Sequence, residues 1–374
     1  MNFIRLFFSL NLALAVGLSV SHAQTLVVDQ LCELPSSIHE TSGLETGPNG
    51  WFWTQNDSDN PEEIYCVDST GTIQRTVSVM GDVNTDWEDL AKDDEGNLYI
   101  GNFGNNLLDR TDLRIVKIPS IDTCTSVAIV SDTIRFSYPD QHDFPPNGDY
   151  GNFDMEAFFW YQDSLHLFSK DRSSPSTGHT KHYRLPSVGG VYQAELIDSL
   201  YTASNSYIFA ITAADISEDG QQVVLLNADR IWLLSGYTGT DFFGGTVSEL
   251  ELGSFTQKEG ICFKDGFIYL TDEREQFFNS GGNLYRAHPS VFVGVGESLS
   301  EPDVELIYGQ DLSLESIVFE GSTMDWKLLG TDGKLVRSGS STDSILTSQF
   351  GDVHGMFVIQ LTTEKSANAV LIRL

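Results

Sequence analysis

Short apolar runs alternate with polar turns along most of this chain, at the two-residue period of half-buried strands. The clearest unit lies near residue 260. Glu259 to Lys264 alternates as a strand, Asp265-Gly266 is a two-residue hairpin turn, and Phe267 to Thr271 is the partner strand. A polar cluster, Asp272-Glu273-Arg274, follows, and Asn283 to Ala287 reads as a third strand. The same script runs through Glu88 to Ala91, the turn Asp94-Glu95-Gly96-Asn97, Leu98 to Gly101 and Leu113 to Ile118. It runs again through Ile211 to Ile216, Glu218-Asp219-Gly220, Val223 to Leu226 and Ile231 to Leu234. Two further copies turn at Gly47-Pro48-Asn49-Gly50 and Gln162-Asp163-Ser164. Outer strands are predicted at Ile73 to Val79, Thr133 to Tyr138, Gln193 to Ser199 and Thr246 to Leu252. No long amphipathic helical pattern interrupts them.

Five copies therefore begin at Ser42, Glu88, Glu156, Ala214 and Glu259, and in each a polar residue of the following cluster lies 14 or 15 positions on. Repeats of this length, each built of short strands, predict a β-propeller. An unclaimed strand, Thr25 to Leu34, precedes the first repeat, and the fifth lacks an outer strand. Pairing the two closes a five-bladed ring and leaves no free sheet edge. Six blades is the alternative, because the long step from Glu88 to Glu156 has room for a degenerate one; its excess, Asp140 to Asn152, reads as an inserted loop.

Equivalent positions of a propeller meet on one rim. Hairpin pairing at the observed step sets Glu88 beside Asn102, Glu156 beside Asp171, and Glu259 beside Asp272 and Glu273. Asn56 and Asp57 lie beside Ser42, and Asp229 lies opposite the one blank, Ala214. Glu88, Glu156 and Glu259 would thus converge at one mouth of the channel as candidate catalytic acids. Crowded carboxylates need positive charge. One source is a hard cation, Ca2+, held by Glu88, Asn102, Glu156, Asp171, Glu259 and Asp272. The other is Lys170, Arg172, Arg230 and Arg274, which would make the acids inter-blade salt bridges. A held cation would suit hydrolysis of esters, lactones or phosphoesters. Without it, the rim is expected to bind a small molecule, glycan, peptide or protein.

Acids outnumber bases 53 to 21, for a formal charge of −32, so nucleic acid is an unsuitable partner. Cys32, Cys66, Cys124 and Cys262 allow two disulfides in an oxidising compartment, in any of three pairings, although Cys262 reads as a buried apolar residue. No nucleophile elbow and no phosphate-binding glycine loop is present.

Residues 1–23 read as a secretory signal: Arg5, the apolar Leu6 to Leu18, then Ser21-His22-Ala23. No other segment is apolar and long enough to cross a membrane. After about Asp311 the texture changes. Trp326 to Val336, with Asp332-Gly333 as a hairpin turn, then Gly355 to Thr363 and Val370 to Leu374, resemble the C-terminal sorting domain of type IX secretion substrates in the Bacteroidota. Leu312-Ser313-Leu314-Glu315 stands where that family has Asn-Pro. The repeats thus place the propeller over 24–308, and the resemblance implies a small β-sandwich over 309–374, a partner in the type IX machinery, and a secreted or surface-attached product. Trp53 to Ser58, Asp86-Trp87-Glu88-Asp89-Leu90 and Tyr99 to Asn106 are similar to an uncharacterised family of exported bacterial propellers. That resemblance implies fold and export, and no activity.

Overall fold

The computed structural model describes residues 24–146, 150–202, 209–274 and 280–288, with the strands between 304 and 373 and residue 350. The predicted export signal, 1–23, and the Asp332-Gly333 turn lie outside the described residues.

Five sheets carry the repeats. Blade 1 runs outward from Thr41–Thr46 through Phe52–Asn56 and Glu63–Val67 to Ile73–Met80. Blade 2 runs through Trp87–Lys92, Leu98–Asn102, Arg114–Ile118 and Asp132–Ser137. Blade 3 holds Asp154–Tyr161, Ser164–Lys170, His179–Pro186 and Glu195–Tyr201. Blade 4 holds Ala213–Ile216, Gln222–Leu226, Arg230–Ser235 and Thr246–Glu251. Blade 5 holds Lys258–Lys264, Phe267–Asp272 and Asn283–His288. The N-terminal strand Val27–Glu33 pairs antiparallel with Asn283–His288 and completes it. The ring is thus five-bladed and closed as the repeat pattern predicts. The Asp265-Gly266 turn has φ of 51° and 77°, the left-handed pair a two-residue hairpin requires.

Each interface between neighbouring blades has its own apolar cluster. Trp53, Trp87 and Ile100 fill the seam between blades 1 and 2. Phe103, Met155 and Phe158 fill the next, and Phe159, Phe168 and Trp232 the one after. Leu226, Ile261 and Leu270 join blades 4 and 5, while Leu44, Phe52 and Tyr269 join blades 5 and 1. Trp53, Trp87 and Phe103 are fully buried in these seams.

Three blades gain a fifth, parallel strand at the outer edge, borrowed from a neighbouring connection. Val127–Ile129 adds to Ile73–Met80, Gly190–Gln193 to Asp132–Ser137, and Gln24–Thr25 to Thr246–Glu251. The long step between the second and third repeats therefore contains a strand lent back to blade 1 and a loop, and no sixth blade. The predicted strand at Thr25 serves two blades, its first residues on blade 4 and its remainder on blade 5.

The C-terminal strands form one connected antiparallel sheet, in which Leu314–Gly330 pairs with Val304–Tyr308, Leu335–Leu346 and Met356–Thr362. Val304–Tyr308, placed by the sequence at the end of the propeller, is a strand of this sheet. The four cysteines are free thiols, and Cys262 is buried as expected. No described helix is long and apolar enough to span a membrane.

Candidate functional site

The glutamates reach the channel mouth through an irregularity that the repeat spacing hides. In blade 3, Met155 pairs with Ser169 and Ala157 with Phe168, so Glu156 is an extra residue in the inner strand. In blade 5, Lys258 pairs with Asp272 and Gly260 with Thr271, which makes Glu259 the extra residue. In blade 2 the register shifts across Glu88 and Asp89, and in blade 1 across Gly43 and Leu44. Such bulges turn one side chain out of the pleat's alternation. Blade 4 alone is regular: Ala213 to Ile216 pairs without a shift. Its Ala214 packs among the apolar residues between blades 3 and 4.

Glu88, Glu156 and Glu259 are 6%, 2% and 4% exposed. Burial, followed by the nearby Glu156 and Asp86, pushes the Glu88 carboxyl well above the usual range. Burial also raises Glu259, against the pull of Lys170 and Arg172. Its Oε2 is buried with no hydrogen-bond partner among the described residues. Glu156 is ion-paired, with Lys170 Nζ at 3.0 Å and Arg172 Nη2 at 3.4 Å. Gly104 lets this cluster close: a Cβ there would lie 2.1 Å from Glu88 Oε1 and 2.6 Å from the Asp86 carboxyl carbon.

Two acids that the sequence reading passed over belong to the site. Asp154 accepts from Arg172 Nε and from the Asn105 amide, each at 2.5 Å. Burial and then Glu156 push Asp154 up to about 7. Asp86 rises to about 6, by burial and then by Asp154. A signal for both was present: Asp86-Trp87-Glu88 and Asp154-Met155-Glu156 share an acid-x-acid spacing at the start of the inner strand. Glu40 and Glu273 complete the set. Burial, with Glu40 and Asp86 next, brings Asp57 to about 8, and burial with Glu259 raises Glu273 well above its ordinary value.

The other predicted ligands are engaged elsewhere. Asn102 donates to Asp82 Oδ2 and Val83 O, both at 2.7 Å, and pairs directly with Trp87. Asp171 accepts from Ser173 and Ser176 and from the Thr177 amide, folding its own loop. Asp272 takes the Asn283 amide and the Tyr285 hydroxyl. Asn56 Nδ2 donates to Ser37 O. The reason is common to all: the bulge shifts pairing, so the residue expected beside each glutamate faces a different partner.

Arg230 pairs with Asp229 and Glu249 of its own blade, and Arg274 with Glu33 of its own. Arg172 and Lys170 pair with acids of blade 3, where they themselves lie. These ion pairs thus lie within single blades, and Arg172 also donates to Asn106 Oδ1 on the connection from blade 2. Polar contacts to backbone tie the blades. Gln55 Nε2 donates to Glu88 O at 2.7 Å. Asp89 Oδ2 accepts the amides of Phe158 and Ala214, at 3.0 and 3.3 Å, and so spans from blade 2 to blades 3 and 4. Asp215 Oδ2 accepts the Phe263 amide of blade 5 at 2.7 Å.

The mouth thus has two unequal halves. On blades 2 and 3, Asp86, Glu88, Asp154 and Glu156 surround Lys170 and Arg172. On blades 5 and 1, Glu259, Glu273, Asp57 and Glu40 gather more loosely: His39 Nε2 lies 3.5 Å from Glu40, and Lys170 acts on Glu259 and Glu273 from across the mouth. No group of three or more His, Cys, Asp or Glu among the described residues is disposed to hold a metal ion as it stands.

Fold and site define an all-β, five-bladed propeller with a carboxyl-rich mouth. No known protein family and no curated protein matches the chain. Similar solved structures include PorZ, a surface component of the type IX secretion system of Porphyromonas gingivalis, at 11% identity and a TM-score of 0.34, over 89% of this chain and 44% of that one. This chain thus spans under half of PorZ. The aldose sugar dehydrogenase of Streptomyces coelicolor is similar at 11% identity and 0.42, over 71% and 98% of the two chains. A gluconolactonase of Xanthomonas campestris is similar at 9% and 0.37, over 71% and 86%. Likeness at this level concerns the fold alone.

Proposed function

We propose that this is an exported propeller whose acidic mouth binds a cation, Ca2+ in the first instance, on the side of blades 5 and 1. The observation that carries the reading is the buried Oε2 of Glu259, which has no hydrogen-bond partner among the described residues. Glu40, Asp57, Glu259 and Glu273 would hold the ion, a set of hard oxygens suited to calcium. They would have to draw closer to do so. A cation there would polarise a carbonyl or phosphoryl oxygen, which is the basis for testing esters, lactones and phosphoesters. Glu88, Glu156 and Asp154 supply neighbouring carboxyls in unlike settings, one of them paired with Lys170, as acid and base chemistry requires. The deep burial of these three favours a second reading, a non-catalytic module that binds its ligand on the surface. Export through 1–23, and delivery to the cell surface by type IX machinery acting on 309–374, belong to the same proposal.

Calorimetric titration of Ca2+ into the mature chain tests it, with Glu259→Gln and Glu273→Gln alongside. Binding should release protons at pH 7, because Asp57 must ionise, and affinity should climb between pH 6 and 9. Without metal, the raised Asp86, Asp154 and Asp57 have the opposite effect on stability. Their contribution is complete below about pH 4, where the unfolded carboxyls are also protonated, and is lost as pH rises through about 6, 7 and 8. The melting temperature of the metal-free protein should therefore carry a component that falls over that range, and Ca2+ should cancel it. No heat and no thermal shift at any pH would discard the cation and leave the surface-binding reading.

A further inference from the structure

The opposite mouth of the channel is open. A cavity of about 630 Å³ lies there, where the inner strands end, and six carboxylate side chains and two lysines line it. That volume is in the range of small-molecule sites. Both lysines are committed. Lys92 Nζ donates to Thr46 O at 2.5 Å and lies 3.6 Å from Asp122, while Lys264 Nζ pairs with Asp265 at 2.7 Å. Glu45 uses one oxygen, Oε1, on the Thr46 amide and hydroxyl at 2.5 and 2.8 Å, and its Oε2 has no hydrogen-bond partner among the described residues. Asp215 reaches the same cavity from blade 4, oriented by the Phe263 amide. The half-buried Trp160, Tyr161 and Phe263 add aromatic surface to the lining.

We propose that this cavity binds a small organic amine, its ammonium group between the Glu45 and Asp215 carboxylates and its carbon body against Trp160, Tyr161 and Phe263. The charge balance disfavours an anion, since both available cations already have acceptors. A neutral polyol would leave the two half-buried carboxylates with Lys92 as their shared positive charge, whereas an ammonium offers three donors and a second charge to them, and aromatic faces attract cations. Burial and then Glu45 already hold Asp215 well above the ordinary range, so positive charge at this point relieves a cost built into the fold. The site is independent of the acidic mouth: it lies at the other end of the inner strands and shares no residue with it.

The test is titration of the mature full-length chain with 1,5-diaminopentane and with glucosamine, read by calorimetry and by tryptophan fluorescence, with glucose as the uncharged control. Both amines should saturate and glucose should not. Glu45→Gln and Asp215→Asn should each weaken amine binding at least about tenfold, a loss of roughly 1.4 kcal/mol. Trp160→Phe should abolish the fluorescence change while heat persists. Glu273→Gln, at the other mouth, should leave amine affinity where it was. If Asp215→Asn does not fold, Glu45→Gln and Tyr161→Leu carry the comparison. Absence of saturable amine binding at millimolar concentration would overturn the proposal. So would glucose binding as tightly as glucosamine, or amine affinity that follows Glu273→Gln instead of Glu45→Gln.

Discussion

Blades 2 and 4 start from nearly the same sequence frame and end with different inner strands. In blade 4 the pairing is regular, and Ala214 turns into the apolar seam with blade 3. In blade 2 the register breaks across Glu88-Asp89. One acid turns up into the mouth, and the other crosses the channel to the amides of Phe158 and Ala214. The regular strand thus leaves an inward amide that the bulged strand satisfies. The difference teaches that Glu88, Glu156 and Glu259 reach this mouth at register breaks, whereas Ala214, at the same repeat position in a regular strand, faces a neighbouring blade.

The strongest way to break that contrast is Ala214→Glu. With no bulge to re-aim it, the carboxylate is forced into the seam beside Phe159 and Trp232, and an uncompensated buried charge costs about 3–5 kcal/mol. A denaturant midpoint close to wild type would show that register does not set direction here. Next comes Asp89→Ala, which strands the buried Phe158 and Ala214 amides. It should destabilise by about 2–4 kcal/mol in urea unfolding, and Asp215→Ala, with one inter-blade amide at stake, by less. Gly104→Ala drives a methyl group against Glu88 and Asp86, and should cost about 2 kcal/mol. That cost should shrink in a Glu88→Ser background, and a double-mutant cycle would measure the coupling. The smallest effect has the opposite sign. Glu259→Gln removes a buried acid with an unpartnered oxygen, so the metal-free melting temperature should rise by about 2 °C while any stabilisation by Ca2+ disappears.

Much of this architecture was legible in the residues. Asp265-Gly266 dictates a hairpin because both positions need positive φ, and the orphan strand at the N-terminus matches the blade that lacks an outer strand. The mouth was legible as a gathering of Glu88, Glu156 and Glu259. Their partners were not. A bulge changes the count between two strands by one residue while the overall step still reads 13 to 15, so spacing alone sets Asn102, Asp171 and Asp272 in the wrong seats. Asp86 and Asp154 were hidden by attention to the repeat's first position, although their alternation with Glu88 and Glu156 put them on the same face. The borrowed parallel strands were also invisible. Val127–Ile129 and Gly190–Gln193 have the look of connecting segments, and what makes them strands is the unfilled outer edge of a blade that the local sequence does not mention. The opposite mouth escaped notice for a related reason: Glu45, Lys92 and Asp215 come from different repeats, each unremarked within its own.

The clasp of the ring has a consequence for handling and lifetime. Val27–Glu33 finishes the last blade, so the loop to be closed spans nearly the whole propeller, and its entropy falls on one late step. Until Glu251 has been synthesised Gln24–Thr25 has no mate, and until His288 has been synthesised neither has Val27–Glu33. Proteolytic trimming of these two strands from the finished protein would uncover two edges, on blade 4 and on blade 5, at once. Unpaired edges are templates for self-association. A tag placed against Gln24 therefore bears on whether the ring shuts.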